Sequence, residues 1–298
     1  MEKKGKKAQA GKPKKLTPKD VGKRLDTLVK KLGEELEGGD LFAPLPPTED
    51  CAICFVPLSH DKPEIRFQAC CGNIVCLACC KENEASIKKQ NDAGKKVALT
   101  CRFCREPESP SAKEEYVLLQ ARCLQNDHHA LSLMGEVHQD GKYGKAKDGL
   151  KALDCFIRAV ELGSAVSCAM IAEGYNEGNG VAVDKERAAL FQRVAALRGD
   201  IVARHNIGIA EYHTFGNHEI AIRHWKVAAE AGDQDSLIVL RIIYNGDGKV
   251  PGKEFISKDY LESTYRACHD AQMEVKTEER EKHRSEEESE NQQVPVKI

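Results

Sequence analysis

The sequence predicts a small metal-stabilised, cysteine-rich domain followed by an all-α helical-repeat solenoid, with disordered termini. Three observations carry that expectation. Eight of the 13 cysteines fall as four close pairs between residues 51 and 104. One set of anchor residues recurs three times after residue 127. Both ends are rich in charge and poor in apolar side chains, a composition that cannot bury enough surface to offset ordering. At 298 residues, 41% of them hydrophobic, the chain is long enough for two modest domains.

Residues 1–16 form a basic tail, with seven lysines against one glutamate in the first fifteen positions. This opening lacks the apolar core of a signal peptide, and no apolar run approaches the roughly 20 residues of a membrane-spanning helix. The expectation is therefore an intracellular protein, cytoplasmic or nuclear, without membrane insertion. A reducing compartment shifts the reading of the cysteines from disulfides to metal ligation. The tail has no interleaved aromatic residues and the repeats are not basic, which argues against a nucleic-acid partner; the lysines serve equally as a nuclear-import signal or a solubilising end.

Residues 17–48 read as an amphipathic helix and a proline-rich linker. Thr17-Pro18-Lys19-Asp20 supplies a hydroxyl cap, a proline at the first helical position and an acid in the first turn. Val21, Leu25, Leu28, Leu32 and Leu36 then share one helical face. That face is expected to dock on the rest of the chain; a short coiled-coil segment is the alternative. Pro44, Pro46 and Pro47 mark the linker.

The cysteine block, residues 49–108, pairs as Cys51/Cys54, Cys70/Cys71, Cys76/Cys79 and Cys101/Cys104, and three of these pairs are CxxC. A CxxC turn aims two thiolates at one point, and two such pairs complete a tetrahedral zinc site. Two zinc ions are expected. Binding of order 10–16 kcal/mol per structural zinc would fold a segment with few large apolar residues. Cys80 and His60 remain possible substitutes for the adjacent pair Cys70-Cys71, whose turn Gly72 could relieve.

The arrangement CAIC, CCGNIVCLAC, CRFCR resembles an all-cysteine RING finger. The resemblance implies a cross-brace in which Cys51, Cys54, Cys76 and Cys79 hold the first zinc and Cys70, Cys71, Cys101 and Cys104 the second. It also implies docking of a ubiquitin-conjugating enzyme charged with ubiquitin, through Ile53 and Phe103, with Arg105 at the position where active RINGs carry a linchpin cation. Catalysis of this kind is positional, without a nucleophile. The family's usual histidine is absent, with Asn73 in its neighbourhood, and Arg102 replaces a common proline. A non-catalytic, zinc-dependent adaptor or scaffold is the alternative function.

After a connecting helix at 109–126, residues 127–267 repeat. Asp148, Asp184 and Asn217 are each followed at four residues by Ala152, Ala188 and Ala221, at eleven by Ala159, Ala195 and Ala228, and at fifteen by Gly163, Gly199 and Gly232. The acid or amide is expected to cap a helix, the alanines to admit a neighbouring helix, and the glycine to end the unit. Three units and a degenerate cap from Ser236 follow, the mark of an α-solenoid. The pattern resembles Sel-one-like, tetratricopeptide-related repeats, which implies a protein client on the repeats. His205, His213, His218 and His224 do not share a helical face, and Trp225 is expected in the core, as Phe156 is. Residues 268–298 are expected to be a charged disordered tail.

Overall fold

A computed structural model of the protein describes residues 17–58, 65–107, 111–246 and 250–275. All of the expected basic tail, most of the expected charged C-terminal tail, and His60 lie outside the described residues. Helix α1 (Pro18–Gly38) begins where Thr17 accepts from the Asp20 amide. Its apolar stripe, Val21, Leu25, Leu28 and Leu32, is buried in a cluster shared with later helices. The stripe therefore docks within the chain instead of pairing with a second copy.

The cysteine-rich module follows. Strand β1 (Ile65–Phe67) pairs antiparallel with β2 (Ile74–Cys76), in the register Ile65↔Cys76, Arg66↔Val75 and Phe67↔Ile74. Helix α2 (Leu77–Asp92) starts directly at the end of β2. The module's buried cluster consists of Cys51, Leu58, Ile74, Val75, Cys76, Ala78, Cys79 and Cys80.

Helix α3 (Ala112–Leu124) leads into four successive helix pairs: α4 (His128–Asp140) with α5 (Gly149–Glu161), α6 (Ala165–Glu177) with α7 (Lys185–Leu197), α8 (Ile201–Ala210) with α9 (His218–Glu230), and α10 (Gln234–Asn245) with α11 (Lys258–Glu274). Each helix packs on the next, so the pairs stack into one helical-repeat array. Asp148 and Asp184 cap α5 and α7 by accepting from Lys151 and Arg187 amides. Asn217 departs from this pattern: its amide donates to Glu211 at 2.7 Å and makes no cap bond to α9. The anchor alanines are buried, and Gly163, Gly199 and Gly232 follow their helices with left-handed φ near 100°.

Two close approaches set the spacing within pairs. A Cβ on Gly135 of α4 would come within 2.3 Å of the Phe156 ring of α5, and one on Gly208 of α8 within 2.6 Å of the Trp225 indole of α9. Only a glycine lets these large rings seat against the neighbouring helix. Between α8 and α9 the chain makes a wide π-turn, Glu211–Phe215, closed by Gly216 at φ 70°. Helix α11 runs past the expected boundary at 267, because Cys268 is fully buried and Gln272 donates to the Gly232 carbonyl at 3.0 Å.

Helix α1 lies on α5 and α7. Arg198, which follows α7, holds Glu35 through two bonds of 2.8 and 2.7 Å, and Arg187 of α7 pairs with Asp26 at 2.8 Å. The linker then follows the array: Arg204 donates to the Leu41 carbonyl, and the Arg223 guanidinium lies 3.7 Å from the Phe42 ring centroid.

Candidate metal centres

The first and last CxxC segments fold as two copies of one turn. Cys51 N–H donates to Val56 at 3.0 Å and Phe55 N–H to Cys51 at 2.9 Å. The equivalent bonds run from Cys101 to Glu106 at 2.8 Å and from Arg105 to Cys101 at 2.9 Å. Each turn is closed by a bridge, Asp50 to Pro57 and Thr100 to Pro107. The residue after each second cysteine, Phe55 or Arg105, is left-handed, with φ of 56° and 66°. The matching strings DCAICFVP and TCRFCREP carry this symmetry in the sequence, a signal that the cysteine spacing alone did not use.

The second and third pairs come from the hairpin. Between β1 and β2 the chain turns with Cys71 and Gly72 amides both donating to Gln68, at 3.1 and 2.7 Å, and Gly72 at φ 78°. That conformation lets adjacent Cys70 and Cys71 project toward one point. Cys76 ends β2 and caps α2, and the Cys79 amide donates to its sulfur at 3.5 Å. The start of a helix favours thiolate over thiol.

The fold brings together Cys51, Cys54, Cys76 and Cys79 as one group and Cys70, Cys71, Cys101 and Cys104 as the other, with sulfurs in each group within 4.8 Å of one another. The pairs thus interleave, first with third and second with fourth. Sulfur separations of 3.9 Å for Cys54–Cys76, 3.9 Å for Cys71–Cys101 and 3.5 Å for Cys70–Cys104 match the edges of a tetrahedron with metal–sulfur bonds of about 2.3 Å, which are about 3.8 Å. All 13 cysteines are thiols, and these separations are far beyond a disulfide bond. Amides also point at sulfur, as Cys76 N–H does at Cys51, 3.3 Å.

Four thiols in one place cannot all ionise without a cation. A hydrogen bond from Cys76 holds Cys51 down at about 4, and the same contact together with burial drives Cys76 far up. Burial pushes Cys79 up to about 12 and raises Cys70 as well. A divalent ion removes this conflict by neutralising the thiolates together. The donor set therefore fits a structural zinc in each group.

Around these groups, Phe103 is 52% exposed, Arg105 is exposed and Ile53 is half-buried against the module's cluster. Arg102 pairs with Glu82 of α2 at 2.6 Å. Cys80 stands outside both groups, with the Gln68 amide 3.7 Å from its sulfur. The repeat histidines are dispersed: His224 is buried in α9, and His205 contacts Ser236 at 2.7 Å.

The module is seated on the array. Arg122 of α3 donates to the Cys70 carbonyl at 2.7 Å and to that of Ala69 at 3.3 Å, gripping the turn that carries the adjacent cysteines. Phe67 packs on both the module's cluster and that of α3 and α4, and His129 meets Glu49 at 3.2 Å. None of these contacts has a spacing signature, so sequence reading does not reach them.

Fold and site together define a cysteine-rich module with two four-thiol centres carried on an α-helical repeat array. No family model matches the chain. A stretch of 93 residues is 31% identical to the alginate biosynthesis protein AlgK of Azotobacter vinelandii, covering 31% of this chain and 19% of that protein. The chain thus spans about a fifth of the length of that curated relative. Among solved structures, it is similar to a Sel1 repeat protein from Oxalobacter formigenes, at 26% identity and TM-score 0.47 over 64% of this chain and 79% of that one. It is also similar to c5321, a protective antigen of uropathogenic Escherichia coli with an SLR fold, at 19% identity and TM-score 0.44 over 63% and 37%. Among the described residues no helix is long and apolar enough to cross a membrane.

Proposed function

We propose that residues 49–107 are a RING-type module with two zinc ions, one on Cys51, Cys54, Cys76 and Cys79 and one on Cys70, Cys71, Cys101 and Cys104. The chain then works as a zinc-dependent, protein-binding ubiquitin ligase inside the cell. The interleaving of the two four-thiol groups carries this reading, because it staples two distant loops into the cross-brace that docks ubiquitin-conjugating enzymes. When bound, zinc supplies structural constraint only, since four sulfurs leave no open position.

The residues of the chain do the rest. Ile53 and Phe103 offer apolar contact to the conjugating enzyme. Arg105, exposed and fixed by a left-handed backbone, donates hydrogen bonds to ubiquitin and its carrier and so orients the thioester. No side chain of the module acts as nucleophile. The Sel-one-like array holds a client protein; Val202 and Ile209 on α8, and Ile238 and Ile242 on α10, are exposed apolar residues at helical spacing suited to such a contact.

Autoubiquitination with a panel of conjugating enzymes tests the reading. The wild-type chain is expected to form ubiquitin conjugates with at least one of them. Ile53→Ala and Arg105→Ala should each slow the reaction by at least about tenfold, or about 1.4 kcal/mol. A zinc-loaded, folded chain that is inactive with every enzyme is a non-catalytic adaptor. Metal analysis tests the earlier step: two zinc ions per chain are expected, and Cys71→Ser should lose one.

A further inference from the structure

We propose that Glu49, His128 and His129 form a third divalent-metal site at the junction of the cysteine-rich module and the array, chemically unlike the two thiolate centres. Glu49 lies just ahead of Cys51, whereas His128 and His129 open α4. Ligand atoms of all three lie within 4.8 Å of one another. Glu49 Oε1 and His129 Nε2 are 3.2 Å apart, and the two imidazole centroids 3.9 Å. Consecutive residues inside a helix diverge by about 100°, so two adjacent histidines converging on one carboxylate is an unusual placement, made possible here at the first turn.

Metal–ligand bonds of about 2.0–2.2 Å set ligand separations of about 3–3.6 Å. The group therefore has to close by little more than about 1 Å, within reach of the exposed Glu49 side chain. Two imidazoles and a carboxylate suit zinc, cobalt or nickel; the all-oxygen ions calcium and magnesium are disfavoured. Three protein ligands leave a position for water, in contrast to the closed thiolate centres. The helix start would by itself repel a cation, but the Asp127 carboxylate occupies it, accepting from the His129 and Ala130 amides at 3.0 and 3.1 Å. A bound ion here would fasten the residue that leads into the first CxxC turn to the first helix of the array.

The inference does not depend on ligase activity, and cobalt separates it from the thiolate centres. The full chain is loaded with only two equivalents of zinc, which the four-thiolate centres take ahead of a three-ligand site, its zinc content is measured, and Co2+ is then titrated in. Two zinc ions before cobalt test the cysteine groups on their own. One further equivalent of cobalt should bind with weak visible d–d bands and no growth of thiolate-to-cobalt charge transfer. His128→Ala and Glu49→Gln should each weaken that binding by at least about tenfold, with zinc content and helical circular dichroism unchanged. Absence of a further equivalent overturns the proposal. So does a third ion that brings thiolate charge transfer, or one whose affinity is the same in both variants.

Discussion

In the array, Phe156, Phe191 and Trp225 are each at most 2% exposed and lie in clusters that run from helix to helix. In the cysteine-rich module the buried cluster offers only Leu58, Ile74 and Val75 as larger apolar side chains, beside Ala78 and four cysteines. The array thus holds itself by burial, and the module has too little apolar volume to do so. Where the array places a ring, the module places a sulfur. Each region fails under a different challenge, and the challenges can be applied separately.

The largest expected effect is metal removal. Structural zinc binding of order 10–16 kcal/mol per site is expected to be most of what folds the module. A strong chelator should abolish amide protection across residues 50–58 and 65–107 in hydrogen exchange while leaving α5 to α9 protected. Trp225, the single tryptophan, should keep its buried fluorescence. Simultaneous collapse of the array would erase the distinction between the two regions.

Acid challenges the array in its turn. Burial, reinforced by Arg204, Arg193 and Arg223, holds His224 at about 4, against an ordinary value of 6.5. The unfolded chain therefore takes up this proton first, and array stability should fall as pH drops from about 6.5 toward 4, by roughly 2–3 kcal/mol. Denaturant unfolding followed by Trp225 fluorescence at pH 7 and 4.5 measures it. His224→Phe should flatten that dependence; an unchanged slope would assign the acid sensitivity elsewhere.

The smallest effect lies at the seam. Arg122→Ala removes the two bonds to the Ala69 and Cys70 carbonyls, and is expected to cost about 1–2 kcal/mol. Faster amide exchange at residues 68–73, with metal content and the array unchanged, would place the cost on the contact between the regions.

Much of this architecture is legible in the sequence, because both signals are periodic. Cysteine spacing pairs the thiols, the resemblance to a RING finger implies how the pairs combine, and the recurring aspartate, alanine and glycine anchors place the helix pairs. The face Val21 to Leu32 shows that α1 must be covered, without showing by what. Helix α2 escapes because Cys79 in its first turn reads as a ligand and few apolar side chains follow it to mark a buried face. Arg122 and the Glu49–His128–His129 group escape for a different reason: their residues meet only through tertiary contact, which leaves no period along the chain. Asn217 does not cap α9: its side-chain nitrogen donates to Glu211, and its oxygen accepts no amide of that helix.

Helix α1 precedes the module in the chain, yet its partners come after it: Glu35 meets Arg198 across 163 residues. The module is accordingly an insertion between two parts of one packing unit. On a ribosome adding roughly 5–20 residues per second, α1 emerges on the order of 10–30 s before α7 exists to receive it. During that interval the four cysteine pairs are all synthesised and can take up metal. The order of synthesis thus lets the module mature first, on an open chain, before the late helices close over the leucine face of α1.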